Sequence, residues 1–577
     1  MTRIVVDIET DSKASVIWCC VTQDLDTKEM KVWTEATDEL REYLNKADLI
    51  IGQNFLQFDA PILNRLWNTK IRLSQVFDTL ILSRLLNPVI EDGHSLDSWG
   101  NRLGLSKIDY SAIWSWMTNI PLTKENRSQP FDEPVESLLL HYCKRDVELT
   151  GRLYEHLRTE QSKTKTSEEA LHLEFSVQAI IAEQERNGFK LDIPYAMQLL
   201  SEIKGKMSTI ESEMESVFPT IVRERFSDKT GKRLKDEVIT FNPGSRKQIH
   251  ERLADKYGWQ PTKMTEKGTP IVDEDVLSKL EYPEAKFLAE YFMLQKRASM
   301  LDSWLEKVGR DGRVHGKVIT IGAVTNRMTH SDPNIAQVPA ADDTTPYGHE
   351  FRRCWTVGEG NALVGIDASG LELRMLAHYM NDPEYTDVVI NGRSEDGTDI
   401  HTKNQIAAGL SSRSQAKTFI YGFLYGAGPA KIGSIVGGTS KEGQKLIDAF
   451  LKNTPKLKQL REKVARLAQR GYLPGLDGRI LHVRSEHAAL NTLLQGAGAI
   501  VMKKALAILS KELKRAKLFH KFVANVHDEW QIECKAEDAE KVGKLGVWSI
   551  EEAGRQLNMR CPLTGEYRCG KTWEDTH

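Results

Sequence analysis

The sequence predicts a multidomain α+β protein. The chain has 577 residues, enough for about three to five domains of ordinary size. Its hydrophobic content of 40% and charged content of 28% are those of a folded, water-soluble chain. Short apolar runs with strand character alternate with helical stretches near both ends, whereas residues 190–310 are mostly helical in pattern.

Residues 4–8, 16–21 and 48–52 are apolar runs of strand length. With the helical stretches around them they make a mixed α/β unit that closes near a helix ending around residue 157. The polar stretch 159–169 reads as a linker. A long helical pattern follows over 170–187 and stops at Gly188. Within the helical middle, residues 223–235 carry six basic and two acidic residues around Gly231, which reads equally as a solvated loop or a nucleic-acid contact. Residues 362–366 form an apolar run ending at Asp367, and 371–380 a helix. Ser369 and Glu372 fit a Ser-x-x-Glu capping box at its start. Residues 412–470 are helical. Residues 521–535 read as two strands joined at a tight turn holding His527, Asp528 and Glu529.

Composition excludes some classes. No apolar run approaches the roughly 20 residues of a membrane span. The N-terminus, MTRIVVDIET, has strand rather than signal-peptide character. Seven cysteines in so long a chain are no disulfide framework, and Cys561 and Cys569 lack the CxxC spacing of a metal site. Free thiols in a reducing, cytoplasmic compartment are expected. The net charge of −3 does not exclude a nucleic-acid partner, because binding depends on a local basic surface.

Residues 413–428, RSQAKTFIYGFLYGAG, space Arg413, Lys417, Tyr421 and Tyr425 four apart. On an α-helix each step of four drifts by about 40°, so these side chains fan along one face over roughly 18 Å. Cations lie toward the N-terminal end, where the backbone is also partly positive, and rings toward the other. A nucleoside triphosphate has the same polarity, anionic at one end and flat at the other. The same spacing also occurs in plain amphipathic helices. Asp367 and Asp528 stand at a strand end and a hairpin turn, where a ligand can reach them. Two carboxylates brought together repel unless a cation neutralises them, and Mg²⁺ prefers oxygen ligands. Two such ions can activate an attacking oxygen and stabilise the leaving oxygen of a phosphoryl transfer. Taken singly, each aspartate is also an ordinary helix-entry or turn residue. A second set lies near the N-terminus. Asp7 and Glu9 alternate on one strand and face the same side. Residues 54–59 read N-x-x-x-F-D, and 142–146 read Y-x-x-x-D with Tyr142 and Asp146 on one helix face.

On these residues the chain resembles family A, the DNA polymerase I family, and within it the replicative polymerases of short-tailed phages of the T-seven type. DASGLELR at 367–374 matches the first metal motif of the palm, 413–428 the fingers helix, and VHDE at 526–529 the second metal motif. GAVTNRMTHSDPNIAQVP at 322–339 resembles the template-primer motif, and HAALNTLLQGAGA at 487–499 another DNA-contacting helix. The first region carries the three motifs of the family's proofreading exonuclease, of the type with a tyrosine in the third.

The resemblance implies an RNase H-like α/β 3′-5′ exonuclease domain over 1–165, followed by a right-hand polymerase. Its parts are a connecting helix and helical thumb (166–310), the first part of an antiparallel-sheet palm (311–385), helical fingers (386–485) and the second part of the palm (486–577). It implies template-directed DNA synthesis with proofreading, using two Mg²⁺ ions at each site. Asp367, Asp528 and the backbone carbonyl of Ala368 bind the polymerase metals, and Glu529 supports the site. Arg413, Lys417 and His401 contact the triphosphate, Tyr421 and Glu372 pack under the sugar, and Tyr425 lies near the templating base. Arg327, Gln495, Asn491 and His527 contact DNA, the first two at minor-groove acceptors that are similar for all correct pairs. Asp7, Glu9, Asp59 and Asp146 bind the exonuclease metals, and Tyr142 orients the attacking water. Primer-template DNA and dNTPs are the implied substrates. A replicative helicase and a single-strand binding protein are the implied partners, and the host bacterial cytoplasm the implied location. No membrane and no 5′-nuclease domain are expected.

Two features refine the resemblance. Relatives of this type carry a large thumb insertion that binds thioredoxin. The matching region here is the short basic segment 219–240, so thioredoxin binding is not expected and the segment is expected to touch duplex DNA itself. Tyr421, where many relatives have phenylalanine, implies tolerance of 2′,3′-dideoxynucleotides. Three alternatives stay open: a single-subunit RNA polymerase, a catalytically inactive DNA-binding subunit, and a nuclease whose C-terminal half only holds DNA. Glu372 and the exonuclease motifs are unexpected in the first, and a complete carboxylate set in the second.

Overall fold

The computed structural model describes residues 2–227 and 229–577. The first sheet holds β1 (Arg3–Thr10), β2 (Ile17–Asp24), β3 (Met30–Trp33), β4 (Leu49–Gly52) and β5 (Val76–Asp78) in the order β3-β2-β1-β4-β5. β1 pairs antiparallel with β2 and parallel with β4, so it lies in the middle. That explains its nearly unbroken apolar run, since a central strand is buried on both faces. Helix α1 (Asp59–Leu66) follows β4, and the long helix α2 (Glu136–Thr164) packs across β1 and β2 through buried Cys143, Val147 and Leu153.

The expected linker at 159–169 is largely helix. α2 runs on to Thr164, because Glu, Gln and Lys are good helix formers whose polarity imitates a linker. Lys165 ends it at a left-handed φ of 55°, and Ser167 caps α3 (Glu168–Asn187) by accepting the Ala170 N–H at 3.0 Å. α3 joins two cores. Ala170, Leu171 and Phe175 enter the core of the first sheet, whereas Leu173, Val177 and Ile181 enter the core of the second.

The helical middle centres on α4 (Ile193–Val217) packed against α5 (Pro283–Lys307). Between them the basic segment is a β-hairpin rather than a loop, β6 (Ile221–Phe226) with β7 (Arg233–Ile239). Residue 228 lies outside the described residues. The alternation of Val, Phe, Leu and Ile with charged residues is a strand pattern masked by its charge.

The second sheet is built from β8 (Asn361–Ala368), which leads into α6 (Leu371–Met380), and from three later strands. Helices α7 (Ile400–Ala408) and α8 (Arg413–Leu424) follow, then the hairpin β9 (Tyr472–Pro474) and β10 (Ile480–His482), and the long helix α9 (Ala489–Arg515). β11 (His520–Val526), β12 (Glu529–Lys535), α10 (Ala539–Gln556) and β13 (Gly565–Gly570) complete the sheet in the order β11-β12-β8-β13, all antiparallel. α10 lies close on this sheet because a Cβ on Gly543 or Gly546 would collide with Tyr567 or Ile366. The span 486–515 is long and apolar enough, by composition, to cross a membrane, although its apolar residues form no unbroken run of that length. In the fold 72% of its most apolar window is buried, so the apolarity serves the core.

Candidate active sites

The register of the second sheet brings two distant carboxylates together at the ends of its inner strands. Asp367 faces Glu529 across β8 and β12, and the Ala368 N–H donates to the Asp528 carbonyl at 3.1 Å. Val526 pairs with Glu529, so the turn consists of His527 and Asp528, and Glu529 already belongs to the strand. His527 stands at φ 57°, a left-handed position that tight hairpins usually fill with Gly or Asn. Backbone strain is therefore stored beside Asp528. Asp367 is exposed by area, but it sits in a cleft that strips its hydration, and Asp528, Glu529 and Glu566 repel its charge. Its pKa rises to about 7. Burial raises that of Asp528 as well, and Arg327 offsets part of the rise. Adjacent acids that resist ionising, offering only oxygen donors, fit a hard divalent cation.

Glu529 is different. It is buried, accepts from Gln531 Nε2 at 2.5 Å and Trp573 Nε1 at 2.6 Å, and lies 3.1 Å from His577 Nδ1. Burial opposes its charge, yet His577 and Arg352 hold its pKa below the usual value. Both oxygens are committed to protein partners, so Glu529 braces the strand under Asp528.

Helix α8 starts where Ser412 accepts the Gln415 N–H at 3.2 Å. It carries Arg413, Lys417 and Tyr421, but Tyr425 caps it rather than continuing it, and Gly426 at φ 77° turns the chain away. Arg413 Nε lies 3.0 Å from Asp399 Oδ1. Lys417 is exposed. The rings of His401 and Tyr421 are 6.0 Å apart and those of Tyr421 and Tyr425 6.3 Å, so the three form a ladder. The Tyr425 hydroxyl donates to Glu372 Oε1, and Arg327 Nη2 lies 3.3 Å from the same oxygen. Glu372 is thus bound by Tyr425 and Arg327, with no hydrogen bond to Tyr421 among the described residues. The expected capping box is not formed: Gly370, left-handed at φ 58°, precedes α6 without a side-chain cap, which leaves Glu372 free for this bridge. The polar atoms buried without partners include His401 Nδ1 on α7 and Asn491 Oδ1 on α9. Buried polar atoms left without a partner call for an explanation, and an absent ligand is one. Gln495 is half-buried one turn further along α9. Arg327, His527 and Asp528 line one cavity of about 30 Å³.

The N-terminal carboxylates also converge. Asp7 and Glu9 on β1 and Cys143 on α2 each offer a ligand atom within 4.8 Å of the others. The Cys143 thiol donates to Asp7 Oδ2 at 3.4 Å. Asp59 opens α1, and its Oδ1 accepts the Ile8 N–H at 3.2 Å. Asp146 Oδ2 lies 2.6 Å from Lys107 Nζ, which also donates to the Tyr142 hydroxyl at 2.8 Å. The other oxygen of Asp146 is buried without a partner. Burial raises the pKa of all four acids, that of Asp7 to about 7, and Asp7 further repels Glu9 and Asp59. The orphaned Asp146 oxygen and the repelling acids again fit a divalent cation.

The model of DNA polymerase family A matches residues 221–575. The chain belongs to DNA polymerase family A. The DNA-directed DNA polymerase of Escherichia phage T7 is 32% identical over 720 aligned residues, covering 100% of both chains. That of Enterobacteria phage T3 is 32% identical over 678, covering 94% of each. The solved POL domain of Pol1 from M. smegmatis, in complex with DNA primer-template and dNTP, matches with a TM-score of 0.80 at 20% identity, over 100% of this chain and 96% of that one. The polymerase shares that fold. It is a DNA-directed DNA polymerase, which decides against the single-subunit RNA polymerase. Enzymes of family A are metal-dependent. Asp399, Cys143 and Lys107 were not singled out in the sequence. Asp399 sits at a helix cap, Cys143 hides behind the neighbouring tyrosine motif, and Lys107 comes from a loop with no pattern of its own.

Proposed function

We propose that the polymerase works by two-metal phosphoryl transfer at Asp367 and Asp528 and edits its product at a separate 3′-5′ exonuclease site. The observation that carries the first part is the convergence of the two aspartates at the ends of adjacent inner strands, tied through the Ala368 N–H and the Asp528 carbonyl. Asp367, Asp528 and the Ala368 carbonyl would hold the Mg²⁺ ions, two in number. Bound there, Mg²⁺ supplies the positive charge needed by the attacking and leaving oxygens. Arg413 and Lys417 bind the triphosphate and draw off pyrophosphate as the primer 3′-oxygen joins the α-phosphorus. The orphaned His401 nitrogen offers a further contact to the triphosphate. The Tyr421 ring and Glu372 pack under the sugar and exclude a 2′-hydroxyl, and Tyr425 waits near the templating base. Arg327, Gln495, Asn491 and His527 hold the primer-template, reading pair shape through minor-groove acceptors. Closure of α8 over a correct pair excludes water.

In the N-terminal region, read as an RNase H-like exonuclease domain over 1–165, Asp7, Glu9, Asp59 and Asp146 hold two further ions and Tyr142 orients a water toward the terminal phosphodiester. Mismatched ends fray more readily and reach this site more often. The rest of the chain is read as thumb (166–310), palm (311–385 and 486–577) and fingers (386–485) of a bacteriophage replicative enzyme acting in the host cytoplasm, beside a helicase and a single-strand binding protein.

One assay tests both sites. A labelled primer-template is incubated with Mg²⁺ and dNTPs, rNTPs or no nucleotide. Extension with dNTPs, little with rNTPs, and 3′ shortening without nucleotide are expected. Asp528→Ala should lose extension and keep shortening, and Asp7→Ala the reverse. Extension by Asp528→Ala would refute the polymerase assignment.

A further inference from the structure

We propose, on the editing reading of the N-terminal site, that Lys107 is a working member of it. Its ammonium holds the Tyr142 hydroxyl and the Asp146 carboxylate in register and takes a phosphate of the strand end being excised. Lys107 lies in the loop before the helix Tyr110–Thr118. Lysines are rarely drawn inward, but this side chain is only 19% exposed, with Nζ 4.6 Å from the Tyr142 ring centroid. Among the described residues it is the one cation in ion-pair contact with the four acids of the site.

A purely structural ion pair would satisfy the carboxylate it neutralises. Here the second Asp146 oxygen stays buried and unpartnered. The ammonium has three N–H donors; Asp146 and Tyr142 take two of them. The third is available to a groove of about 460 Å³, lined by Ser95, Asp97, Lys107, Tyr110, Phe131 and Tyr142. Its aromatic wall suits a base and sugar, and its one ammonium suits a phosphate. The donation to Tyr142 has a second effect. It fills a lone pair of the phenol oxygen and turns the O–H away from the ammonium, which fixes where the tyrosine can grip a water. In excision the water oxygen joins phosphorus, the bond from phosphorus to O3′ of the preceding nucleotide breaks, and the protons released end on that O3′ and in solvent. Lys107 gains and loses none; it steadies the phosphate whose charge enters a cluster of carboxylates.

The test compares wild-type protein with Lys107→Met, Lys107→Arg and Asp7→Ala. Excision from a single-stranded oligonucleotide is measured with kcat and KM separated, primer extension by the same preparations reports the fold, and binding of a tetranucleotide is measured in EDTA. Lys107→Met should lower kcat for excision about 10- to 100-fold with extension unchanged. It should weaken tetranucleotide binding about tenfold, and Lys107→Arg should recover most of both. Wild-type excision by Lys107→Met, with Asp7→Ala inactive, overturns the proposal and leaves the editing site standing. Loss of extension in parallel with excision overturns it as well, because the lysine then serves only the fold. Equal excision by wild type and Asp7→Ala removes the editing reading and this proposal with it.

Discussion

Arg413 is clamped by Asp399: its Nε lies 3.0 and 3.2 Å from the two carboxylate oxygens, and its Nη2 lies 2.9 Å from the first. The fork occupies one edge of a planar guanidinium and presents the other. Asp399→Asn should therefore raise KM for dNTPs about three- to tenfold with a smaller change in kcat, read from single-nucleotide incorporation. The pair also sets an acid limit. Burial opposes the Asp399 charge, yet Arg413, Thr402 and the His401 N–H hold its pKa at about 2. An unfolded aspartate titrates near about 3.9. A depressed carboxylate contributes stability that is full above the unfolded value and lost as pH falls through the folded one. The stability advantage of wild type over Asp399→Asn should be level above about pH 5 and shrink toward pH 2. Melting curves that keep a constant gap down to pH 2 would remove Asp399 as the source.

Tyr421 offers a hydroxyl that makes no hydrogen bond among the described residues, although its ring is held between His401 and Tyr425. In the proposed role of Tyr421 under the sugar, such a hydroxyl would take the place of a missing 3′-hydroxyl. Tyr421→Phe should sharpen discrimination against dideoxynucleotides by about tenfold, the worth of one hydrogen bond in a closed site. The ratio of kcat/KM for dNTP and ddNTP measures it, and equal ratios in both proteins would count against the idea.

Much of this architecture was legible in the sequence where local chemistry and register agree. Asp7 and Glu9 share a face because a strand alternates, and α8 carries Arg413, Lys417 and Tyr421 because its spacing is helical. The failures have physical reasons. The Ser369–Glu372 capping box lost to Gly370, whose left-handed backbone starts α6 without a side chain. The polar tail of α2 imitated a linker, and the charged hairpin imitated a loop. Asp399 and Lys107 act through partners 14 and 39 residues away, at Arg413 and Asp146. Such pairs are set by tertiary packing, which periodicity cannot encode.

Glu174 anchors a buried ionic cluster at the junction of α3, α9 and the β9–β10 hairpin. Its Oε1 accepts from Arg479 Nη1 at 2.5 Å and Lys503 Nζ at 2.8 Å, and Arg479 also reaches Asp477 at 2.7 Å and Asn326 Oδ1 at 3.2 Å. All five residues are buried, and Asn326 precedes Arg327. Removing one partner of such a cluster leaves uncompensated charge. Glu174→Ala should cost about 3–5 kcal/mol in denaturant unfolding. Adding Lys503→Met should restore part of it by removing the stranded ammonium. A loss below about 1 kcal/mol would place the pair in the class of weak surface bridges instead.

The β6–β7 hairpin presents Val222 at 60%, Phe226 at 55% and Val238 at 62% exposure, among cations that do not all have the same freedom. Arg233 is paired with Glu224 at 3.1 Å and Asp236 at 3.2 Å. Arg223, Arg225, Lys229 and Lys232 are exposed. If the hairpin grips duplex DNA, neutralising these four should shorten the products made per binding event. The salt dependence of primer-template affinity should also flatten by about 0.9 per lost phosphate contact, up to about 3.6 for all four. Arg233→Gln alone should change little, because its charge is already spent on its neighbours. Added bacterial thioredoxin should not lengthen the products. Extension against a DNA trap at several salt concentrations makes the measurement, and product lengths unaltered by the fourfold change at every salt would place the hairpin off the duplex.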